Sequence, residues 1–190
     1  MPSQMNVAVE NATTSVTPIF TTAVANPALT GVYLYSLADQ PGVVAANNFV
    51  SLFNPVGSGK LAIIAGFFIS SYSVGQATAT APLRGWRITA ASGGTLATNS
   101  TDVAKFNTSF PNTTMELRNS NPTVTKTTAF FNSPPPIGTG AGTAFVHAVE
   151  APPGAGTFLC KAGEGVVVST DSGDVDQHFN MTIAWAEING

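Results

Sequence analysis

The segment NPVGSGKLAIIAGFFISSYSV (Asn54–Val74) decides the fold class, because a run of turn-forming residues leads directly into a long apolar run. The apolar part, Leu61–Val74, is rich in β-branched and aromatic residues and is interrupted by Gly66. This composition favours an extended strand over a helix, and the run is long enough to cross a whole sheet. We therefore predict a long β-strand that bends at Gly66.

The turn that precedes this strand contains the Gly-Lys pair of a phosphate-binding loop but lacks the rest of that motif. A P-loop needs a glycine where Asn54 stands, to wrap the backbone around phosphates, and a Ser or Thr where Leu61 stands, to hold magnesium. It also leads into a helix. We instead predict a turn between two strands, opened by Asn-Pro, with Gly57 and Gly59 supplying unusual backbone angles.

The composition of the 190-residue chain disfavours several classes of function. Only 9% of the residues are charged, against about a quarter in a typical globular protein, and 44% are hydrophobic. No apolar run reaches the ~18 residues of a membrane span, and no signal peptide is visible. With 7 Lys and Arg, a net charge of -3 and a pI of about 5.1, the chain has no basic patch for nucleic acid. We expect neither a membrane nor a nucleic-acid partner.

Strand candidates recur at short intervals along the chain, and no convincing amphipathic helix or internal repeat interrupts them. About eight to ten strands with turn signals between them are typical of an all-β sandwich or barrel. We predict an all-β fold, an antiparallel jelly-roll β-sandwich, for residues 31–190. Residues 1–30 contain prolines and no helical repeat, and we predict an extended N-terminal arm that orders only against a partner.

Alternation within the strands predicts which side chains face the core. In TMELRN (114–119), Met115 and Leu117 alternate with two charged residues. In the last strand, HFNMTIAWAEI (178–188), we expect Glu187 to lie opposite the apolar face, exposed to solvent or paired with an arginine. The apolar face of that strand comprises Phe179, Met181, Ile183 and Trp185.

The densest acidic cluster is DSGDVDQH (171–178), which contains Asp171, Asp174 and Asp176, with His178 beyond them. Three carboxylates offer the oxygen ligands that calcium prefers, but their spacing does not match an EF-hand loop. We favour a polar hairpin tip between the last two strands. Whether these residues bind an ion stays open at this point.

Other residue types that carry chemistry show no recognisable pattern. Cys160 is the single cysteine and is expected to pack as a small hydrophobe, because neither His147 nor His178 forms a pairing signature with it. Trp86 and Trp185 are candidates for stacking on sugars, although burial is the commoner outcome for strand tryptophans. We predict no catalytic, cofactor-binding or metal-binding residue, no cofactor and no enzymatic activity.

Several stretches together resemble a known family, and they follow one another in order from Asn48 to Ile188. They are LFNPVGSGKLAIIAGFFIS, WRITAASGGTLATNSTDVAKFNT, TMELRNSNPTVT, and AGEGVVVST leading to FNMTIAWAEI. They resemble the capsid decoration, or cement, proteins of tailed bacteriophages, which have a jelly-roll fold. The likeness lies in the succession of strand and turn segments, and it contains no catalytic signature.

The resemblance implies a structural virion protein that is made in the host cytoplasm and stabilises the capsid from outside. It further implies a homotrimer, with the major capsid protein as partner. We expect the arm, residues 1–30, to lie across the capsid or a neighbouring subunit. Two rival functions remain: a receptor- or carbohydrate-binding module of a phage head or tail fibre, and a hydrolase. For a hydrolase the residues to mutate are Glu150, Glu164 and Asp171, although their spacing does not recommend them.

Overall fold

A computed structural model describes residues 29–42, 46–74, 82–133, 145–150, 158–171 and 175–190. These residues form twelve β-strands and no helix. The strands are β1 (Leu29–Pro41), β2 (Asn47–Asn54), β3 (Lys60–Ser73), β4 (Leu83–Ser92), β5 (Thr95–Leu96), β6 (Val103–Lys105), β7 (Glu116–Asn119), β8 (Thr123–Ser133), β9 (Phe145–Glu150), β10 (Phe158–Cys160), β11 (Glu164–Thr170) and β12 (Gln177–Asn189).

The strands form two antiparallel sheets that pack face to face. Sheet A has the order β10-β3-β12-β1-β6, with β9 also paired to β3, and sheet B has the order β5-β7-β2-β11-β4-β8. Strands β1 to β4 alternate between the sheets, and so do β9, β11 and β12. This is the jelly-roll arrangement, in which each sheet is assembled from strands distant in sequence. The predicted all-β jelly-roll sandwich is confirmed.

The strand count exceeds the predicted eight to ten, in part because one short stretch of the sequence forms two strands. TFLCKAGEGVVVSTD (157–171) forms β10 in sheet A and β11 in sheet B, with a turn between them. Gly163 adopts a φ of 85° in this turn, a left-handed conformation that glycine tolerates best. The very short β5 adds a further strand. The N-terminal boundary also moves, since Leu29 already pairs with Ile188, and residues 1–28 of the predicted arm lie outside the described part of the chain.

The core lies between the two sheets and is lined by alternate residues of each long strand. All four residues predicted for the apolar face of β12 are buried, as are Met115 and Leu117. The Trp185 and Tyr33 rings stack at the centre, with their centroids 5.5 Å apart. Burial of such large aromatic side chains is a main source of stability in a sandwich of this size.

Strand β3 crosses sheet A from end to end, as predicted, and pairs with β12 over its whole length. The pairing shifts between Ile64 and Gly66, so Ala65 is the extra residue of a β-bulge next to the glycine where the bend was expected. The bulge shifts the alternation of β3 by one residue, so that Phe67 and Ile69 point into the core beyond it, as Ala62 and Ile64 do before it.

The turn between β2 and β3 is confirmed, and it joins the two sheets. Gly57 and Gly59 both have positive φ, 86° and 64°. The Asn54 side chain is fully buried and donates from Nδ2 to the carbonyls of Lys60, at 2.8 Å, and Cys160, at 3.0 Å. Its Oδ1 accepts a hydrogen bond from Ser58. One asparagine thus ties the turn to β10, so this position serves the fold and not a phosphate.

Candidate functional site

The side chains of sheet A that point away from the core form a surface that we call the outer face of sheet A. Alternation fixes its members, because Tyr33 and Tyr35 are buried in the core and Val32 and Leu34 therefore point outwards. On β12 Trp185 is buried, so its neighbours Ala184 and Ala186 point outwards. This face was not singled out in the sequence, although the alternation of β1 already contained the signal.

One end of the outer face of sheet A is apolar across the width of the sheet. Leu159 is opposite Ile63, Ile63 is opposite Ala186, and Ala186 is opposite Val32, so four strands contribute to one row. Leu159 is 38% exposed. A second row beside it joins Ala184, Leu34 and Ala104, and on its other side Ala184 is opposite Gly66, which is opposite Glu150 of β9.

The charged side chains that the structure describes on this face lie at its opposite end. Among its described side chains, the ionisable ones are Asp39, Tyr72 and His178, all at the end where β1 and β3 finish. All seven Lys and Arg residues lie in the described part of the chain, and none projects from the apolar rows. Among the described side chains the face therefore changes from apolar to polar along the strands, although Arg87 donates to the Leu159 carbonyl at 2.9 Å beside the apolar end.

A shallow depression of about 220 Å³ lies where the apolar and polar parts of the face meet. Phe68 is 45% exposed at its edge, opposite Thr182. Asn180 donates to the Ser70 hydroxyl at 3.4 Å and accepts from the Asp39 amide at 2.9 Å. An exposed ring beside amide and hydroxyl groups is the combination that can bind a sugar ring.

The polar end of the face is organised by Asp39, which has a positive φ of 54°. Its Oδ1 accepts a hydrogen bond from the Tyr72 hydroxyl and lies 2.5 Å from Nδ1 of His178. The bond from Tyr72, followed by that from His178, lowers the pKa of Asp39, and the same contact raises the pKa of Tyr72. Because an ionised carboxylate only accepts, Nδ1 of His178 carries the proton.

The outer face of sheet B is charged, in contrast to that of sheet A. Arg84 forms a salt bridge with Asp171, and Arg118 pairs with Glu116 at 3.0 Å. Lys126 donates to Ser169 at 3.1 Å and lies over the Trp86 ring, 5.6 Å from its centroid. Partial burial, with a smaller contribution from the nearby Arg84 charge, lowers the pKa of Lys126.

Glu187 corrects the sequence prediction, since it is neither exposed nor paired with an arginine. It shares the face of Trp185, two residues earlier, and is 1% exposed. Its carboxylate accepts from the Thr113 hydroxyl, from the amide and hydroxyl of Thr114, and from Nε1 of Trp185. The donors on the loop before β7 compensate for the burial of the charge, which a strand pattern alone cannot reveal.

The prediction for the acidic segment is also wrong, because the segment is not a hairpin tip. Strand β11 belongs to sheet B and β12 to sheet A, so these two strands are not paired as a hairpin. Asp171 is engaged by Arg84, and Asp174 lies outside the described residues. Within the described ranges, no three His, Cys, Asp or Glu side chains come together as a metal site.

The remaining candidate residues are not brought together. Cys160 is buried, and burial raises the pKa of its thiol to about 11, as expected for a packed side chain. Glu164 accepts from the Lys161 amide at 3.0 Å and so closes the turn before β11. The side chains of His147 and Glu150 lie outside the described part of the structure.

Both tryptophans contribute to packing. Trp185 is fully buried, and Trp86 is partly buried, with an Nε1 that has no hydrogen-bond partner among the described residues. Neither presents an open ring to a sugar. Phe68 of β3 does present an exposed ring, and the sequence did not distinguish it from its neighbour Phe67.

Comparisons with protein-family models, with curated proteins and with solved structures give no match. In the described part of the chain, no helix is long and apolar enough to cross a membrane. The interpretation of the outer face therefore depends on its own geometry.

Proposed function

We propose that this chain is a structural virion protein, a decoration protein that binds the outside of a phage capsid as an oligomer and stabilises it. The observation that carries the proposal is the difference between the two outer faces. Sheet B presents paired charges to solvent, whereas one end of sheet A presents rows of aliphatic side chains. Extended apolar surface of this kind marks a site of association.

A cementing function needs buried area and a matching shape, and requires no reactive group. Each copy contributes a modest contact, and the symmetric repetition of a capsid multiplies such contacts through avidity. The jelly roll supplies a rigid platform for them. The resemblance to decoration proteins, which runs in order from about Asn48 to Ile188, supports the same proposal.

The test is to mix the purified chain with phage heads that lack their decoration protein. We expect the chain to co-sediment with the heads at a fixed stoichiometry and to raise the temperature at which they open. Bovine serum albumin at the same concentration serves as the control for trapping in the pellet. Heads that neither bind the chain nor gain heat resistance would contradict the proposal.

The N-terminal segment has a separate part in this proposal, namely contact with the capsid or with a neighbouring subunit. Because Leu29 already pairs with Ile188, the informative deletion removes residues 1–28 and leaves β1 intact. We expect the shortened chain to fold but to lose binding to heads. Normal decoration by the shortened chain would refute a role for the segment.

Carbohydrate binding is the second candidate function, favoured by the depression beside Phe68. Ser70, Asn180 and Thr182 line it with groups that can exchange hydrogen bonds with a sugar. A glycan array with the purified chain tests this function, and Phe68→Ala should abolish any binding found. An array without binding leaves decoration as the sole proposal.

A further inference from the structure

We propose that a depression beside strand β6, which we call the β6 depression, binds a sugar acid, that is, a sugar ring that carries a carboxylate. It is separate from the outer face of sheet A, and the inference does not depend on a decoration function. The depression has a volume of about 310 Å³. Its lining consists of one cation, four neutral polar side chains and one aliphatic side chain: Lys105, Asn99, Ser100, Thr108, Asn112 and Val103.

The register of β6 places the depression at the edge of the sandwich. Strand β6 ends sheet A among the described strands. Lys105 is opposite Tyr33 and Val103 is opposite Tyr35, so both side chains point to the core side of the sheet. Val103 is buried there, whereas Lys105 is half-buried. The depression therefore has an aliphatic floor and a cation in its wall, and its volume is in the range of small-molecule sites.

Lys105 identifies the charge of the ligand. Its ammonium donates to the Phe110 carbonyl at 3.0 Å and forms no salt bridge among the described residues. The nearby Asp102 is not part of the lining, and its two oxygens accept from the Thr98 amide at 2.6 Å and the Thr101 hydroxyl at 3.1 Å. Because a half-buried cation without a counter-ion favours an anion, the two remaining N–H groups of Lys105 are suited to a carboxylate.

The neutral groups indicate that the anion belongs to a larger, hydroxylated molecule. Ser100, Thr108 and Asn112 are exposed, and their side chains have no hydrogen-bond partner among the described residues. Asn99 uses its amide nitrogen within the protein, which leaves its Oδ1 as an acceptor. Hydroxyl and amide groups exchange hydrogen bonds with ring hydroxyls, and an aliphatic floor suits the C–H groups of the ring. A small inorganic anion would leave most of these groups unused.

The walls of the depression are held in place by hydrogen bonds within the protein. On one side, the amides of Thr101 and Asp102 donate to the Thr98 carbonyl at 3.2 and 2.9 Å. On the other side, Oδ1 of Asn107 accepts from the amide and the hydroxyl of Ser109 at 2.9 and 2.8 Å. A site that is already ordered loses less conformational entropy when a ligand binds.

The first experiment compares probes on the unmodified chain by calorimetry and heteronuclear NMR. We expect glucuronate or N-acetylneuraminate to bind and to shift the side-chain amide signals of Asn99 and Asn112. Methyl glucoside lacks the charge and inorganic phosphate lacks the ring, so each should bind at least about 10-fold more weakly. Either of these two probes binding as tightly as the sugar acids overturns the inference, and so does the absence of sugar-acid binding at millimolar concentrations.

The second experiment removes the charge of Lys105. Lys105→Gln keeps a donor for the Phe110 carbonyl, and should weaken sugar-acid binding by about 10-fold or more. Lys161→Gln removes the same charge at an exposed position between β10 and β11, and should leave binding unchanged. Circular dichroism during heating checks the fold. Ser100→Phe fills the depression from an exposed position and should abolish binding, so it decides the matter if Lys105→Gln does not fold. Full affinity in a folded Lys105→Gln overturns the inference.

The variants also separate the β6 depression from the depression beside Phe68. Sugar-acid binding that is lost in Lys105→Gln and kept in Phe68→Ala supports the inference. The opposite pattern overturns it and supports the site on the outer face of sheet A. Both results hold whether or not the chain binds phage heads, so decoration is tested independently.

Discussion

Glu187 and Asp39 carry the same chemical group on the neighbouring strands β12 and β1, but they lie at opposite ends and on opposite sides of sheet A. Glu187 is 1% exposed and accepts hydrogen bonds from three residues, none of them a cation. Asp39 is exposed and contacts a tyrosine and a histidine. The difference teaches that burial decides the role of a carboxylate in this sheet: the buried one fixes a loop to the core, and the exposed one responds to pH.

The largest effect on this contrast between the two carboxylates is expected from Glu187→Ala, which should lower the free energy of unfolding by about 3 kcal/mol. The substitution leaves the buried Thr113 hydroxyl and Trp185 Nε1 without an acceptor and opens a cavity. Urea denaturation measures the loss. Glu187→Gln is the control, because it keeps one acceptor oxygen and should lose about 1 to 2 kcal/mol. An alanine variant as stable as the glutamine variant would mean that the loop does not depend on the carboxylate.

A smaller effect concerns Tyr33, which lies near Glu187 in the core. Burial, followed by the negative charge of Glu187, raises the pKa of Tyr33 to about 12. Because the folded state holds this proton more tightly than the unfolded state, its contribution to stability is complete below pH 10 and is lost between pH 10 and 12. Spectrophotometric titration should show one tyrosine ionising near pH 12. Glu187→Gln should lower the pKa of Tyr33 but keep it above the ordinary value. An unchanged pKa would show that the charge of Glu187 does not affect the Tyr33 hydroxyl.

The smallest expected effect belongs to Asp39. Its pKa is lowered in the folded state, so its contribution to stability is present above the unfolded value of 3.8 and is lost as the pH falls through the folded value. Asp39→Asn cannot ionise, and should flatten the dependence of stability on pH below about 4. It should also lower the pKa of Tyr72 towards normal. Acid unfolding curves that coincide for the two proteins would show that the carboxylate is not linked to stability.

Much of the fold was predictable because short-range signals determine it. The alternation of Phe179, Met181, Ile183 and Trp185 identified the core side of β12, and the glycines at 57 and 59 marked the turn that joins the sheets. Both depend only on neighbouring residues. Gly163 provided the same kind of signal for the division of β10 from β11, but the apolar residues on both sides of it obscured the sheet change.

The sites were less predictable because they join residues far apart in the sequence. Thr113 and Glu187 are separated by 74 positions, and Asp39 and His178 by 139. No feature of the neighbouring sequence indicates either contact. Glu187 was also assigned to the wrong side, since a charged residue in a strand is usually exposed and this expectation overrode the alternation that placed it with Trp185.

The burial of Cys160 has a practical consequence for mapping the outer face of sheet A. With a thiol pKa of about 11, almost no thiolate exists at pH 7.5, so maleimides and other alkylating reagents should spare this residue while the protein is folded. A cysteine introduced at an exposed position would then be the one site labelled by a dye or spin probe, without prior removal of the natural thiol. The same property makes alkylation of Cys160 a sensitive report of unfolding.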